Sequence, residues 1–192
     1  KSIQHLYASL RRVAVLDLLE LARVDLDDAL QRAGGRAKAV LPVHMAGQPG
    51  AIEALSYRAR ENNLVVIEDA CHALGTTYER AGASVSVGCC ADSDMAVFSF
   101  HPVKTIAMGE GGAVTTNDPA LADRLARLRN HGMTRDASMF VNTEMAFDEN
   151  DRANPWFYEM QEYGFNYRAS DIHCALGLSQ LGKLDRFLAR RR

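Results

Sequence analysis

Lys104 and Asp69 have the widest chemical reach in this chain. Lysine is scarce, with four lysines against eighteen arginines. A chain so rich in arginine does not need lysine for surface charge. Lys104 follows an apolar run in the segment FSFHPVKTIAMGEGG, at a strand end, where open α/β sheets gather their sites. There a lysine can do what an arginine cannot, which is to lose its proton and condense with a carbonyl as an imine. Asp69 closes the run VVIED. A carboxylate at the end of a buried strand can pair with a protonated pyridine nitrogen, the partner that pyridoxal phosphate needs to act as an electron sink. Each residue also has a plainer account, Lys104 as a solvated surface lysine and Asp69 as a helix cap. The joint order narrows the choice: strand–Asp, then strand–Ser–aromatic–His–x–x–Lys, then a glycine turn.

The elements that must position these groups follow from periodicity. Residues 37–43 (AKAVLPV) read as a strand and 44–50 as the loop after it. Ile52, Leu55 and Ala59 recur at helical spacing over 51–62. Residues 64–67 (LVVI) are continuously apolar, as buried parallel strands are. Strand, helix and strand make one βαβ unit. Residues 95–100 and 113–116 are two further strands, and their short link requires them to be antiparallel or not adjacent. Asp118 and Pro119 open a helix with Leu121, Leu125 and Leu128 on one face, which Gly132 ends. Residues 134–154 are polar and irregular, a long loop. Ser170 caps a last helix with Ile172, Leu176, Leu181, Leu184 and Leu188 expected inward. The apolar stretch 13–19 and a short helix opening at Asp25 carry no mechanism.

Composition excludes other classes. The chain has 192 residues, 22 basic and 24 acidic, for a net charge of −2. That balance argues against nucleic-acid binding. No apolar run approaches the roughly 20 residues of a membrane helix, and there is no signal-peptide pattern. Cys71, Cys89, Cys90 and Cys174 lack the spacing of a disulfide scaffold or a zinc knuckle. They read as small buried residues, no metal site is expected, and a reducing, cytoplasmic setting fits them.

The segments EDACHALG, SDMAVFSFHPVKTIAMGEGGAVTTND, RNHG and GFNYRASDIHCALGLSQL resemble the DegT/DnrJ/StrS family of nucleotide-sugar aminotransferases. The resemblance runs from about Ala37 to Arg192. Its wording is similar to the branch of that family that makes pseudaminic-acid precursors. It implies the large domain of the aspartate-aminotransferase type (fold type I), a mostly parallel sheet flanked by helices and truncated at both ends. Residues 1–192 would then be a partial large domain, with the last helix leading toward a small C-terminal domain. The family's phosphate loop and ring-stacking aromatic would lie upstream of Lys1.

By the same resemblance, Lys104 binds pyridoxal 5′-phosphate covalently and shuttles a proton, while Asp69 holds the ring nitrogen. His72 stands near the phenolic oxygen and Ser99 binds the phosphate. Asn166 reaches the phosphate of the neighbouring subunit's cofactor, which implies a homodimer with a shared site. Plainer roles remain open: His72 in the core, Ser99 as a small core residue, Asn166 in a turn. Arg168 contacts substrate phosphate or braces its loop. The GEGG turn lacks Walker spacing and reads as backbone packed close to the cofactor. Ala107 and Met108 replace hydroxyl residues usual in the family.

The implied reaction moves an amino group, with glutamate the expected donor, to a UDP-linked 4-keto-6-deoxy-N-acetylhexosamine. The alternatives are another nucleotide-linked keto sugar, modified at C3 or C4, or a non-catalytic nucleotide-binding module on the same scaffold.

Overall fold

The computed structural model describes residues 14–15 and 26–191. They fall into two compact units, Lys1–Asn117 with Asp171–Arg192, and Asp118–Ser170.

The larger unit opens with β1 (Ala14–Val15), α1 (Leu26–Ala33), β2 (Ala39–Leu41), α2 (Ile52–Glu61) and β3 (Val65–Asp69). β4 (Thr77–Arg80) and β5 (Ala83–Ser86) form a hairpin, followed by β6 (Met95–Ser99) and β7 (Gly112–Thr115). The main sheet runs in the order β1-β2-β3-β6-β7. Its first four strands are parallel, and β7 returns antiparallel beside β6, pairing Val97 with Val114. The short link between β6 and β7 imposes that return. Of the apolar stretch 13–19 only residues 14–15 are described, and Asp25 lies outside the described residues.

Every residue of β2 is buried, as its unbroken apolar run requires. Val40 and Val66 pack against Ile52 and Ala59 of α2, with Leu64 closing the cluster. Burial of each large aliphatic side chain there stabilises by roughly 1.5–3 kcal/mol. A second cluster joins Ala96 and Phe98 of β6 to Ala70, Ala73, Val87 and Cys90. The β4–β5 hairpin, which periodicity did not suggest, turns at Ala81 and Gly82, both left-handed (φ 48° and 79°). It is tied back by Tyr78 and Arg80, which both donate to the buried Asp92 carboxylate at 2.9–3.0 Å.

The 118–170 unit starts with α3 (Pro119–Leu128). Asp118 caps it by accepting from the Ala120 and Leu121 amides, a contribution of about 1 kcal/mol. The helix ends at Leu128, earlier than Gly132, which lies in the turn beyond it. β8 (Met133–Thr134), α4 (Thr143–Ala146) and β9 (Glu159–Met160) follow. The expected loop 134–154 is therefore partly structured. Asp136 caps a 3-10 turn and Asn142 caps α4. Phe140 packs edge-on to Phe147 and Phe157, giving the segment a small core of its own.

The chain rejoins the larger unit with α5 (Asp171–Leu181) and α6 (Leu184–Arg191). Gly182 separates the two, where one helix was expected. Ile172, Leu176 and Leu181 were expected inward. They are exposed instead, Ile172 by 82%. Leu184 and Leu188 are half-buried, and the Leu188 side chain lies against Gly75.

Candidate functional site

Strand alternation sorts the residues of β3 and β6 onto two faces. Val66, Glu68, Ala96 and Phe98 are buried, while Ile67, Asp69, Val97 and Ser99 are half-buried. Asp69 pairs in register with Val97. Ser99, two residues further on, therefore emerges on the Asp69 face, away from Phe98. The two side chains sit one strand apart, about 4.8 Å, and two residues along, roughly 6.6 Å.

Lys104 stands in the loop that joins β6 to β7. Phe100 pins this loop at both ends: its amide donates to Gly111 O and its carbonyl accepts from Met108 N, each at 2.9 Å. Buried Ile106 and Met108 anchor its middle. Within it the Lys104 amide donates to His101 O at 2.9 Å, so a turn presents the half-buried side chain. Met108 fills the space left by Gly111 and Gly177, where an added Cβ would come within 2.6 Å and 3.2 Å of its side chain. Gly109 lies against the His173 ring. Gly109 and Gly111 of the GEGG turn thus lie against the protein's own side chains. Met108 is itself buried.

The polar atoms of the site are oriented by local hydrogen bonds. Asp69 Oδ1 accepts from the Cys71 amide at 3.0 Å. Ser99 Oγ accepts from His101 N at 3.3 Å, which leaves its own O–H free to donate. The Ala46 amide donates to His72 Nδ1 at 3.3 Å. A neutral His72 must therefore carry its proton on Nε2.

The Cys71 thiol reports on the group as a whole. Burial, then the Asp69 carboxylate through hydrogen bonding and charge, push it up to about 12, while the Lys104 charge opposes them. One sulfur thus feels both Asp69 and Lys104. Because the folded value lies above the ordinary one of 9.0, stability from the neutral thiol is complete below pH 9 and is lost as pH climbs toward 12. At pH 8 Cys71 should resist iodoacetamide, while exposed Cys89 and Cys174 alkylate. Peptide mapping that finds Cys71 labelled as fast as Cys174 would contradict this electrostatic picture. All four cysteines are free, but only Cys90 is fully buried, so the expectation of small buried residues fails for Cys89 and Cys174.

Asp69, His72, Ser99 and Lys104 belong to the larger unit, Asn166 and Arg168 to the 118–170 unit. Asn166 is exposed, and its backbone bridges antiparallel to Asn130. Arg168 donates to Asn130 Oδ1, which braces the loop. It also borders a depression of about 550 Å³ shared with His131, Arg135 and Tyr158. Lys104 borders another of about 330 Å³, with Thr105, Gln180, Arg190 and Arg191.

Sequence reasoning missed one feature here. His44 and Glu68 are buried at 0% and 1% exposure, and their side chains meet at 2.7 Å. The available signal was a glutamate inside an otherwise apolar strand. Among the described residues no cluster could hold a metal ion, and no helix is long and apolar enough to cross a membrane.

An open, mostly parallel sheet with acid, hydroxyl and lysine at neighbouring strand ends defines an α/β domain with its polar groups gathered at the strand ends. The chain belongs to the DegT/DnrJ/EryC1/StrS aminotransferase family, whose profile matches residues 19–192. It is 34% identical over 183 residues to the UDP-4-amino-4,6-dideoxy-N-acetyl-beta-L-altrosamine transaminase of Campylobacter jejuni, covering 94% of this chain and 43% of that protein. Among solved structures it resembles Helicobacter pylori PseC, an aminotransferase involved in the biosynthesis of pseudoaminic acid. The TM-score is 0.63 at 32% identity, over 79% of this chain and 34% of the other. It also resembles the sugar aminotransferase Spr1654 of Streptococcus pneumoniae in its PMP form, with a TM-score of 0.65 at 27% identity, over 85% and 43% of the two chains. The fold is that of these sugar aminotransferases. The chain spans about two fifths of the length of the curated relative it matches.

Proposed function

We propose that this chain is part of the large domain of a pyridoxal-phosphate-dependent sugar aminotransferase, and that Lys104 is its cofactor lysine. The observation that carries the reading is the β3–β6 register, which brings Asp69 and Ser99 to one face at neighbouring strand ends, with Lys104 in the loop that leaves β6. The donor set also fits the group chemically. A carboxylate suits a pyridinium, and a free hydroxyl donor beside a strand end suits a phosphate.

When bound, pyridoxal phosphate supplies an electron sink that lets a nitrogen-bearing carbon lose and regain a proton. Lys104 Nζ would hold the cofactor covalently and, once displaced, move that proton. Asp69 would keep the ring nitrogen protonated. His72 would donate from Nε2 to the phenolic oxygen, and Ser99 would donate to the phosphate. Asn166 would serve the neighbouring subunit's site, with Arg168 beside the substrate. Exposed Trp156, Tyr163, Phe165 and Tyr167 offer aromatic surface of the kind enriched in subunit interfaces, which supports a homodimer. Free exposed thiols fit a cytoplasmic setting.

The similarity to the Campylobacter transaminase and to PseC supports a UDP-linked 4-keto-6-deoxy-N-acetylhexosamine as amino acceptor, and glutamate is the donor we propose. The test uses the full-length protein: load pyridoxal phosphate, reduce with borohydride and map the pyridoxyl peptide. Modification of Lys104 is the expected result. An adduct elsewhere, or a protein that ignores the cofactor, rejects the assignment. Product analysis with candidate UDP- and dTDP-linked keto sugars then decides the substrate.

A further inference from the structure

We infer that the buried His44–Glu68 pair is a positioning device, which clamps residues 42–46 to the end of β3 so that Asp69 and His72 keep one orientation. The inference rests on the cofactor-site reading above.

The side chains meet between His44 Nε2 and Glu68 Oε2 at 2.7 Å, and Ser93 donates its hydroxyl to Glu68 Oε1. One carboxylate thus fastens three segments: the loop after β2, the end of β3 and the approach to β6. The backbone continues the clamp. His44 N donates to Asp69 O at 3.0 Å, and Asp69 N donates to Pro42 O at 2.8 Å. On the other side Ala70 N donates to Val97 O at 2.9 Å. Asp69 is therefore held from both neighbouring strands, with Glu68 locked beneath it on the opposite face. Two residues past His44, the Ala46 amide donates to His72 Nδ1 and selects the Nε2–H form. Gly47 tightens the same contact: its carbonyl accepts from Thr76 Oγ1 at 3.1 Å, and a Cβ there would meet His72 O at 3.1 Å.

The fold alone does not call for this pair. A buried ionisable pair often stabilises no better than apolar side chains of similar volume. His44 Nδ1 is buried with no hydrogen-bond partner among the described residues, a further cost to the core. What apolar packing cannot provide is direction. A hydrogen bond fixes the azimuth of the loop, and the azimuth decides where the Ala46 N–H points.

The experiment compares the full-length wild type with His44→Leu/Glu68→Leu and with His44→Gln, whose amide can still donate to Glu68. Two quantities are read: the His72 tautomer in the cofactor-free protein, by long-range proton–nitrogen NMR, and the dissociation constant for pyridoxal phosphate. Thermal melts check folding. The double-leucine variant should melt near wild type, yet show mixed His72 tautomers and bind the cofactor roughly tenfold more weakly, equivalent to about 1.4 kcal/mol. His44→Gln should recover most of both. A folded double-leucine variant with wild-type tautomer and affinity overturns the inference. So does a loss of folding in both variants, which assigns the pair to the core alone. A wild type that takes no cofactor at Lys104 rejects the functional reading instead, and the cofactor-free tautomer still decides whether the pair positions His72.

Discussion

Replacing Lys104 with alanine is expected to leave a folded protein that no longer forms a reducible adduct with pyridoxal phosphate. Its transamination should be slower by roughly 10³-fold or more, in line with loss of a positioned acid–base group together with the covalent link. The fold should survive, because the turn at 101–104 is closed by the backbone bond from Lys104 N to His101 O and not by the side chain. Substitutions at such partly exposed positions usually stay within about 0.5 kcal/mol. Lys104→Arg refines the test. It keeps the positive charge that acts on Cys71 but cannot condense with an aldehyde. If charge alone mattered, arginine would restore activity; the chemistry above requires both variants to be inactive. Wild-type turnover in Lys104→Ala would remove this residue from the reaction.

Gly132→Ala should be the most damaging single change in the 118–170 unit. Gly132 has φ +71°, and an added Cβ would lie 1.7 Å from the Glu162 carbonyl oxygen. The clash is with backbone, so no side-chain rotation relieves it. Gly164 approaches from the segment that follows β9, where a Cβ would sit 2.1 Å from Gly132 N. Gln161 N donates to Gly132 O at 2.8 Å, and Arg124 and Arg127 reach the Glu162 carboxylate at 3.4 and 3.5 Å. Two glycines thus let two segments touch at backbone distance, next to the Asn130–Asn166 bridge. The left-handed φ costs about 1–3 kcal/mol for alanine, and the clash adds to it. Urea unfolding followed by far-UV circular dichroism should show a lower midpoint. A midpoint unchanged by Gly132→Ala would mean the segments do not touch as described.

Much of the sheet was readable from periodicity. Uninterrupted apolar runs marked β2 and β3, and alternation marked Ser99 as facing away from Phe98. The brevity of the β6–β7 link restricted that pair to an antiparallel return or to separation. The Asp118–Pro119 start of α3 was readable because capping is local chemistry. The β4–β5 hairpin was not readable, since its strands are short and its turn, Ala81–Gly82, lacks the Asn or Asp that signals such turns. The inward face assigned to α5 failed for a different reason. Ile172, Leu176 and Leu181 carry helical spacing, but spacing says only that a face is apolar and not what covers it.

Residue types and their order along the chain were enough to nominate Lys104 and Asp69, because imine formation and charge pairing each require particular functional groups at strand ends, while His72 and Ser99 were nominated by the family resemblance. Three-dimensional packing decided how those groups are aimed. The Nε2–H form of His72 depends on an amide 26 positions away, and the seat of Asp69 depends on a histidine buried against the glutamate beside it. Such contacts join segments that are remote in the chain, and their directions arise only once the strands are in register.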